Sequence, residues 1–509
     1  MSFKSTISEQ ALNLTVFLGG GLVMVYEIVG SRVLSPYVGT STYTWTSLIG
    51  IILGALSIGY WIAGRLADRR PSQRVLAAAL FASGLLVCGT VIADDVVLSA
   101  IASTPLPLEI KTVVSSLILF APAAALMGFI VPYAVKLKTR SLDETGATVG
   151  RLYALSTVGS IAGTFAAGFV LIPFVGSTRT LYGVAAILFV LGLLLFPSAA
   201  PRQKAMAATL LLAAVVINET AGMMLAGTLG VYETDTRYSK VKIVDTVKRA
   251  NGRKIRAMSI DPYIYQSSMY LDDGEPASSY HRYYHLINAF KPDFSNVLMI
   301  GGAGYSFPKQ YLKRYPGKKI DVVEIDPGMT SLARKYFRLK DEAAMTIIHE
   351  DGRVFLNEAP SKSYDAVLID AFSTMFSIPQ QLTTIEAVRE ISRVLKPHGV
   401  VILNIGTAIK GDAAMFLGAE IATYEAVFNE VRVYKVDDSK ADENVQNVIL
   451  AAFKGSVPEA EGRDDESKEM LATEFPSASV RRFPVLTDDL APVEYYSSFA
   501  QSRFVKELR

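Results

Sequence analysis

Hydrophobic and polar positions follow two different patterns along this chain, and the change falls near residue 230. Before it, long apolar runs recur, with polar residues gathered between them. The runs at 12–29, 46–63, 76–92, 113–135, 152–174 and 181–196 predict helices of bilayer-crossing length. Pro122 and Pro132 predict a kink in the fourth, because proline lacks the helical N–H and crowds the preceding turn. Gly50 with Gly54, and Gly159 with Gly163, have the small-xxx-small spacing that lets helix backbones approach closely. Glu27, inside the first run, is expected to pair with Arg32 or to face a cation. A seventh apolar region, 205–231, is interrupted by Asn218-Glu219-Thr220. As a helix, 206–217 rises only ~18 Å against ~30 Å of hydrocarbon. A re-entrant hairpin with both ends on one side is expected there; a tilted full span is the alternative.

Beyond 231 the period changes. Residues 232–245 alternate polar and apolar, and 254–260 follow after Asn251-Gly252, a hairpin turn signal. A small β-element continuing through 265–268 and 271–274 is expected, then a helix at 280–287. Short buried-type strands come next at 297–300, 320–323, 345–348, 366–369 and 399–404, with helices at 384–394 and 413–428. Two last strands are expected at 431–436 and 445–453, and a mobile acidic insertion at 457–468. The fold class is thus a multi-span α-helical membrane domain (1–231), a small β-element with a connecting helix (232–290), and an α/β Rossmann-like, class I methyltransferase-type domain (291–509).

Basic residues in short loops orient the spans. Arg65, Arg69, Arg70 and Arg74 follow the second run; Lys136, Lys138, Arg140 and Arg151 follow the fourth; Arg202 and Lys204 follow the sixth. These loops are expected to be cytoplasmic, so a hairpin at 205–231 leaves the C-terminal domain in the cytoplasm. A multi-pass protein of the plasma (inner) membrane, with the lipid bilayer as partner, is the expectation. Half the residues are hydrophobic, and the mean hydropathy of +0.31 is high for a soluble chain. A net charge of +2 gives no reason to expect nucleic acid. With Cys88 the only cysteine, no intrachain disulfide or cysteine-cluster metal site can form.

The candidate chemistry lies at strand ends. Residues 297–300 run into Gly301, Gly302 and Gly304, whose missing Cβ atoms let the backbone pass close to a ligand. Residues 320–323 run into Glu324, where an acid accepts hydrogen bonds from ribose hydroxyls in a nucleotide-binding βαβ unit. Asp351 and Asp370 follow the next two strands. Ligands in open α/β sheets collect at the carboxyl ends of strands, so a nucleoside site is expected at this edge.

The segments Gly301-Gly-Ala-Gly304, Val323-Glu-Ile-Asp-Pro327, Ala333-Arg-Lys-Tyr-Phe337, Glu350-Asp-Gly-Arg353 and Tyr364-Asp-Ala-Val-Leu-Ile-Asp-Ala-Phe372 resemble the spermidine synthase (polyamine aminopropyltransferase) family. Val25-Tyr-Glu-Ile-Val-Gly-Ser-Arg-Val-Leu34 and Leu486-Thr-Asp-Asp-Leu-Ala-Pro-Val-Glu494 resemble its membrane-fused branch. The resemblance implies transfer of an aminopropyl group from decarboxylated S-adenosylmethionine to an amine, without a metal. It implies that Gly301, Gly302, Gly304, Glu324, Asp351 and Gly352 hold the nucleoside. It makes Asp370 the base, with Gln266 and Tyr280 lining the site. Ser373 stands where polyamine-forming members carry a second acid, and Ser278-Ser279 where they carry another. The acceptor is therefore expected to be a small amine or a membrane-associated aminolipid, with putrescine not assured; His281 or His285 can substitute as base. Whether the chain forms a homo-oligomer stays open.

Two other functions compete. A methyltransferase would use S-adenosylmethionine itself, and a basic residue near the glycine turn, with Lys309 nearest, would favour it. A transporter or sensor with a non-catalytic nucleoside-binding domain is the other, because Gly59-Tyr-Trp-Ile-Ala-Gly-Arg-Leu-Ala-Asp-Arg69 faintly resembles a loop of major-facilitator transporters.

Overall fold

A computed structural model describes residues 3–195 and 230–507, save 105, 140, 142–143, 372–377, 456–461 and 463. Between the two stretches it describes only 209, 216 and 220, so the predicted hairpin at 205–231 lies almost wholly outside the described residues. Contacts divide the chain into two units, 1–228 with 237–240, and 229–236 with 241–509.

The first unit is helical. Its helices are α1 (Phe3–Val38), α2 (Thr42–Arg69), α3 (Gln73–Ala102), α4 (Leu108–Leu119), α5 (Ala121–Met127), α6 (Ile130–Lys138), α7 (Thr145–Ala166) and α8 (Ser177–Leu195). Among the described residues, five helical stretches are long and apolar enough to cross a membrane, or six if α4 and the segment after it, bent by 50°, are one span. The bend falls at Phe120, where α4 stops and α5 starts. Pro122 and Pro132 lie in the first turns of α5 and α6, where a missing N–H leaves no helical bond unmade. The kink predicted in the fourth run is thus present, at the break just before Pro122.

The glycine pairs divide. A Cβ on Gly159 would lie 1.8 Å from the Phe17 carbonyl oxygen, and one on Gly163 2.3 Å from that of Gly21. This pair therefore lets α7 lie directly on α1. Gly50 and Gly54 have nothing within 4 Å of a built Cβ, so the close approach predicted for them is not made. On α2 that part falls to Gly59, whose Cβ would meet the Ala125 carbonyl oxygen at 2.0 Å. The expected pairing of Glu27 with Arg32 is also not the arrangement seen. Glu27 is buried, while Arg32 donates to the Tyr238 carbonyl. Leu53, Trp61, Phe165, Phe169 and Phe174 stand outward and more than half exposed; the helical unit is apolar on its outside as well as within.

The second unit holds two sheets. Strands β1 (Val231–Asp235), β2 (Lys240–Val247), β3 (Lys254–Ser259) and β4 (Ser267–Tyr270) form the first, in sequence order. β2 and β3 pair antiparallel across the turn at Asn251-Gly252, where Gly252 has φ +69°. The stretch 271–274, expected as more β-structure, is a turn closed by the Gly274 amide on the Tyr270 carbonyl. The eight-stranded sheet contains β5 (Asn296–Ile300), β6 (Lys319–Val323), β7 (Met345–Ile348), β8 (Tyr364–Ile369), β9 (Leu395–Thr407), β10 (Glu430–Lys435), β11 (Gln446–Phe453) and β12 (Glu474–Phe475). Their order is β12-β10-β11-β9-β8-β5-β6-β7. Strands β5 to β9 pair in parallel, whereas β11 runs antiparallel between β9 and β10. The sheet is thus mixed, not parallel throughout. One core cluster unites both sheets, with Val241, Ile243 and Met258 packed among Tyr283, Tyr284, Val297 and Ile402. The acidic insertion expected at 457–468 lies mostly outside the described residues up to 463, and from 464 onward it leads into a helix. Asp464 caps a helix at Asp465–Ala472, and Arg314 pairs with Asp464 and Glu466.

Candidate active site

Parallel pairing puts the ends of β5, β6, β8 and β9 on one edge. Ile300 is in register with Val323 and Ile369, and Ile369 with Leu403. The next residue on each strand is therefore Gly301, Glu324, Asp370 and Asn404, in one row. Asn404 is the member that the strand-end reading did not single out, although the same rule reaches it.

Gly301 has φ +96°, and a Cβ there would lie 2.4 Å from the Asp370 carbonyl oxygen. The Asp370 amide in turn donates to the Ile300 carbonyl at 2.9 Å. Gly304 is held from the other side, since its Cβ would meet Ser267 Oγ on β4 at 2.5 Å. Gly302 faces the Tyr305 ring, and Gly352 faces Ile300, each at 2.7 Å from a built Cβ. Glu324 closes the turn. Its Oε2 accepts the amide hydrogens of Gly302 and Ala303, and its Oε1 that of Asp326, all at 2.9 Å. Burial pushes its carboxyl pKa up, against those three lowering hydrogen bonds. Each carboxylate oxygen has two lone-pair directions, so acceptor capacity remains for a ribose.

Asp351 caps the helix Gly352–Glu358, with Oδ1 accepting from the amides of Arg353 and Val354. Its Oδ2 receives Gln381 Nε2 at 3.3 Å. The C-terminal motif acts beside it. Asp488 binds the Arg353 guanidinium at 2.9 Å and the Thr384 hydroxyl at 2.6 Å, clipping this turn to the start of the following helix. Gln266 braces the loop before β4, donating to Asp261 Oδ2 at 3.0 Å and accepting from the Ile260 amide at 2.6 Å.

Asp370 is the centre of a second group. The 3₁₀ helix Ser279–Leu286 brings Tyr280, whose hydroxyl donates to Asp370 Oδ2 at 3.0 Å. Asn404 Nδ2 donates to Oδ1 at 3.3 Å. Tyr284 donates to the Ile369 carbonyl at 3.1 Å. Burial pushes the Asp370 carboxyl up to about 6, although hydrogen bonds from Asn404, Tyr280 and Tyr284 pull it down. His281 Nε2 lies 3.8 Å from Oδ2. Burial lowers this imidazole to about 3, so it is neutral near pH 7.

The two alternative bases and the nearest lysine separate here. His285 uses both ring nitrogens, Nε2 with Gln310 Oε1 at 2.9 Å and Nδ1 with the Tyr315 hydroxyl at 3.1 Å. It is a structural histidine, lowered by burial to about 4. Lys309, the basic residue that would favour the methyltransferase alternative, donates to the Phe337 carbonyl and lies 3.9 Å from Met269 Sδ. Ser373 lies outside the described residues. Among the described residues no group of three or more His, Cys, Asp or Glu is placed to hold a metal ion.

This is a Rossmann-like domain of the methyltransferase type, with a glycine turn beside a part-buried carboxylate. Residues 278–433 match the spermine/spermidine synthase domain. The polyamine aminopropyltransferase of Vibrio vulnificus is 28% identical over 200 residues, covering 39% of this chain and 63% of that protein. The chain thus spans less than two thirds of that relative's length. Polyamine aminopropyltransferase 1 of Streptomyces coelicolor is 24% identical over 428 residues, covering 78% of this chain and 76% of that protein. A solved structure of a probable spermidine synthase from Corynebacterium glutamicum is 18% identical, with a TM-score of 0.41, and covers 49% of this chain and 95% of that one.

Proposed function

We propose that the C-terminal domain transfers an aminopropyl group from decarboxylated S-adenosylmethionine to an amine, and that the helical unit holds it in the plasma membrane with the domain in the cytoplasm. The observation that carries the reaction is Asp370, a carboxylate held by Tyr280 and Asn404 one strand from the glycine turn. The residues present fit the donor. Glu324 and Asp351 keep free acceptor sites for hydroxyl and amino groups of a nucleoside, and the glycine turn runs between Glu324 and Asp370.

An amine arrives as an ammonium ion, which the Asp370 carboxylate attracts. The ammonium gives one proton to Asp370, and the freed lone pair attacks the carbon next to the donor's sulfonium. The N–C bond forms as the C–S bond breaks, and its electrons leave the sulfur neutral as methylthioadenosine. A carboxyl near 6 is mostly ionised at pH 7 yet basic enough to take the proton, the balance general-base catalysis requires. The acceptor is a small amine or a membrane-associated aminolipid.

The test is single-turnover assay of the detergent-purified full chain with decarboxylated S-adenosylmethionine and a panel of amines and aminolipids. Release of methylthioadenosine with one of them supports the reading. No release with any, or release of S-adenosylhomocysteine from intact S-adenosylmethionine instead, overturns it.

A further inference from the structure

Resting on the transferase reading above, we propose that Asn404 and Asn447 form a two-amide relay that fixes the aim and charge of Asp370, with Asn447 a positioning residue that never touches the carboxylate.

A primary amide has a donor end and an acceptor end of nearly equal shape. Asn404 alone can turn either towards Asp370, and the two choices have opposite effects. An N–H facing the carboxylate favours its ionised form; a carbonyl oxygen facing it disfavours that form. Asn447 decides between them. Its Nδ2 donates to Asn404 Oδ1 at 3.0 Å, which occupies the acceptor end and leaves Asn404 Nδ2 for Asp370 Oδ1 at 3.3 Å.

The strands build this deliberately placed pair by simple alternation. In the antiparallel β9–β11 register Asn404 lies opposite Ile449, and Asn447 opposite Gly406. Asn447 is thus the diagonal neighbour of Asn404 on the same face. Val400 and Ile402 on β9, and Phe453, Ala451 and Ile449 on β11, occupy that face and belong to the core cluster that also contains Tyr280 and Tyr284. Continuing each column one step towards Asp370 turns both from apolar residues to asparagine. A sheet needs no amide at either place for packing, and the pair ends where the carboxylate begins.

Among the described residues, the other groups facing Asp370 lie on the 3₁₀ helix Ser279–Leu286. Tyr280 donates to Oδ2, Tyr284 donates beside it to the Ile369 carbonyl, and His281 stands 3.8 Å away and neutral. Tyr280 bonds to Oδ2, whereas Asn404 bonds to Oδ1.

The experiment reads the protonation midpoint of Asp370 itself. Infrared titration of the detergent-purified full chain, with Asp370→Asn subtracted, follows its carboxyl band and needs no substrate. Asn404→Leu is expected to raise the midpoint by about one to two pH units, the worth of one hydrogen bond to the ionised form. Asn447→Leu is expected to raise it by less, because Asn404 is then free to turn. Asn447→Asp is expected to raise it more than Asn447→Leu, since Asn404 now turns its N–H towards residue 447. Asn447→Ser, which keeps a donor, is expected to stay nearer wild type and guards against a packing effect. In single turnover, the acid limb of the rate profile is expected to move by the same amounts. A midpoint unchanged in Asn447→Leu, or equal in the Leu, Asp and Ser variants, overturns the relay. If the midpoints move as stated but no amine accepts an aminopropyl group, the relay stands and the transferase reading falls.

Discussion

Glu324 holds the glycine turn through Gly302, whose amide lies 2.9 Å from the Glu324 carboxylate although the two are 22 residues apart. The acid at the end of β6 is therefore part of the turn's architecture before any nucleoside arrives. Removing it strands the buried amides of Gly302 and Asp326 and the part-buried one of Ala303, and an unsatisfied buried donor costs ~1–3 kcal/mol. Glu324→Ala is expected to lower the melting temperature and to weaken methylthioadenosine binding at least tenfold. Glu324→Gln, which keeps one acceptor oxygen, is expected to recover part of both. Calorimetric titration beside thermal melting checks this; an unchanged dissociation constant in Glu324→Ala removes Glu324 from the nucleoside site.

The base role proposed for Asp370 is set against stability. Burial raises its carboxyl from 3.8 in the unfolded chain to about 6 in the fold. A raised carboxyl favours the protonated form, so the folded state loses stability as pH climbs from below 4 through 6. The shift amounts to roughly 3 kcal/mol above that range. Asp370→Asn is expected to melt higher than wild type at pH 7.5, and the gap is expected to close below pH 4. The same variant is expected to lose ~10²–10⁴ of the transfer rate, as removal of a general base does. Melting curves at pH 4, 5.5 and 7.5 with single-turnover rates check both; an equal rate in the Asn variant shows that Asp370 takes no proton.

Gly301 and Gly304 are predicted to be intolerant for different reasons. Alanine at 301 meets the Asp370 carbonyl oxygen at 2.4 Å in a backbone with φ +96°, so it strains the turn and displaces the base together. Alanine at 304 meets the Ser267 side chain at 2.5 Å, which a Ser267→Gly background relieves. Gly304→Ala is expected to lose nucleoside affinity and to regain it in Gly304→Ala/Ser267→Gly, whereas Gly301→Ala is not expected to be rescued. Titration of the three variants with methylthioadenosine checks this.

The proposed orientation is tested from outside the cell. Cys88 is the only native thiol, and it is buried. A cysteine at the exposed position Ser361 is expected to resist a membrane-impermeant maleimide in intact cells and to react after permeabilisation. Labelling in intact cells would put the domain on the far side, away from a cytoplasmic supply of the donor.

Much of the site was legible because it follows from local pattern. The apolar runs, the glycine turn after 297–300 and the acids after successive strands can all be read from neighbours in the chain. Parallel pairing then gathers those strand ends without further information, which is why Gly301, Glu324 and Asp370 fall into one row. Asn404 obeys the same rule, but an amide is a less conspicuous residue than an acid.

The remainder depends on contacts that no local pattern carries. Tyr280 reaches Asp370 across ninety residues of chain, and Asn447 reaches the site from a strand whose antiparallel direction is set by the packing of the whole sheet. Lys309 and His285 lie near the turn in sequence, yet the face of the fold they occupy sends them to Phe337, Gln310 and Tyr315. Gly59, not Gly50 or Gly54, takes the close helix approach because a neighbouring backbone passes only there. Sequence by itself determined which segments are apolar, which turns lack side chains and where acids end strands. Tertiary structure decided which polar atoms meet, because a hydrogen bond needs an atom placed to a few tenths of an ångström, and that placement comes from distant residues packed together.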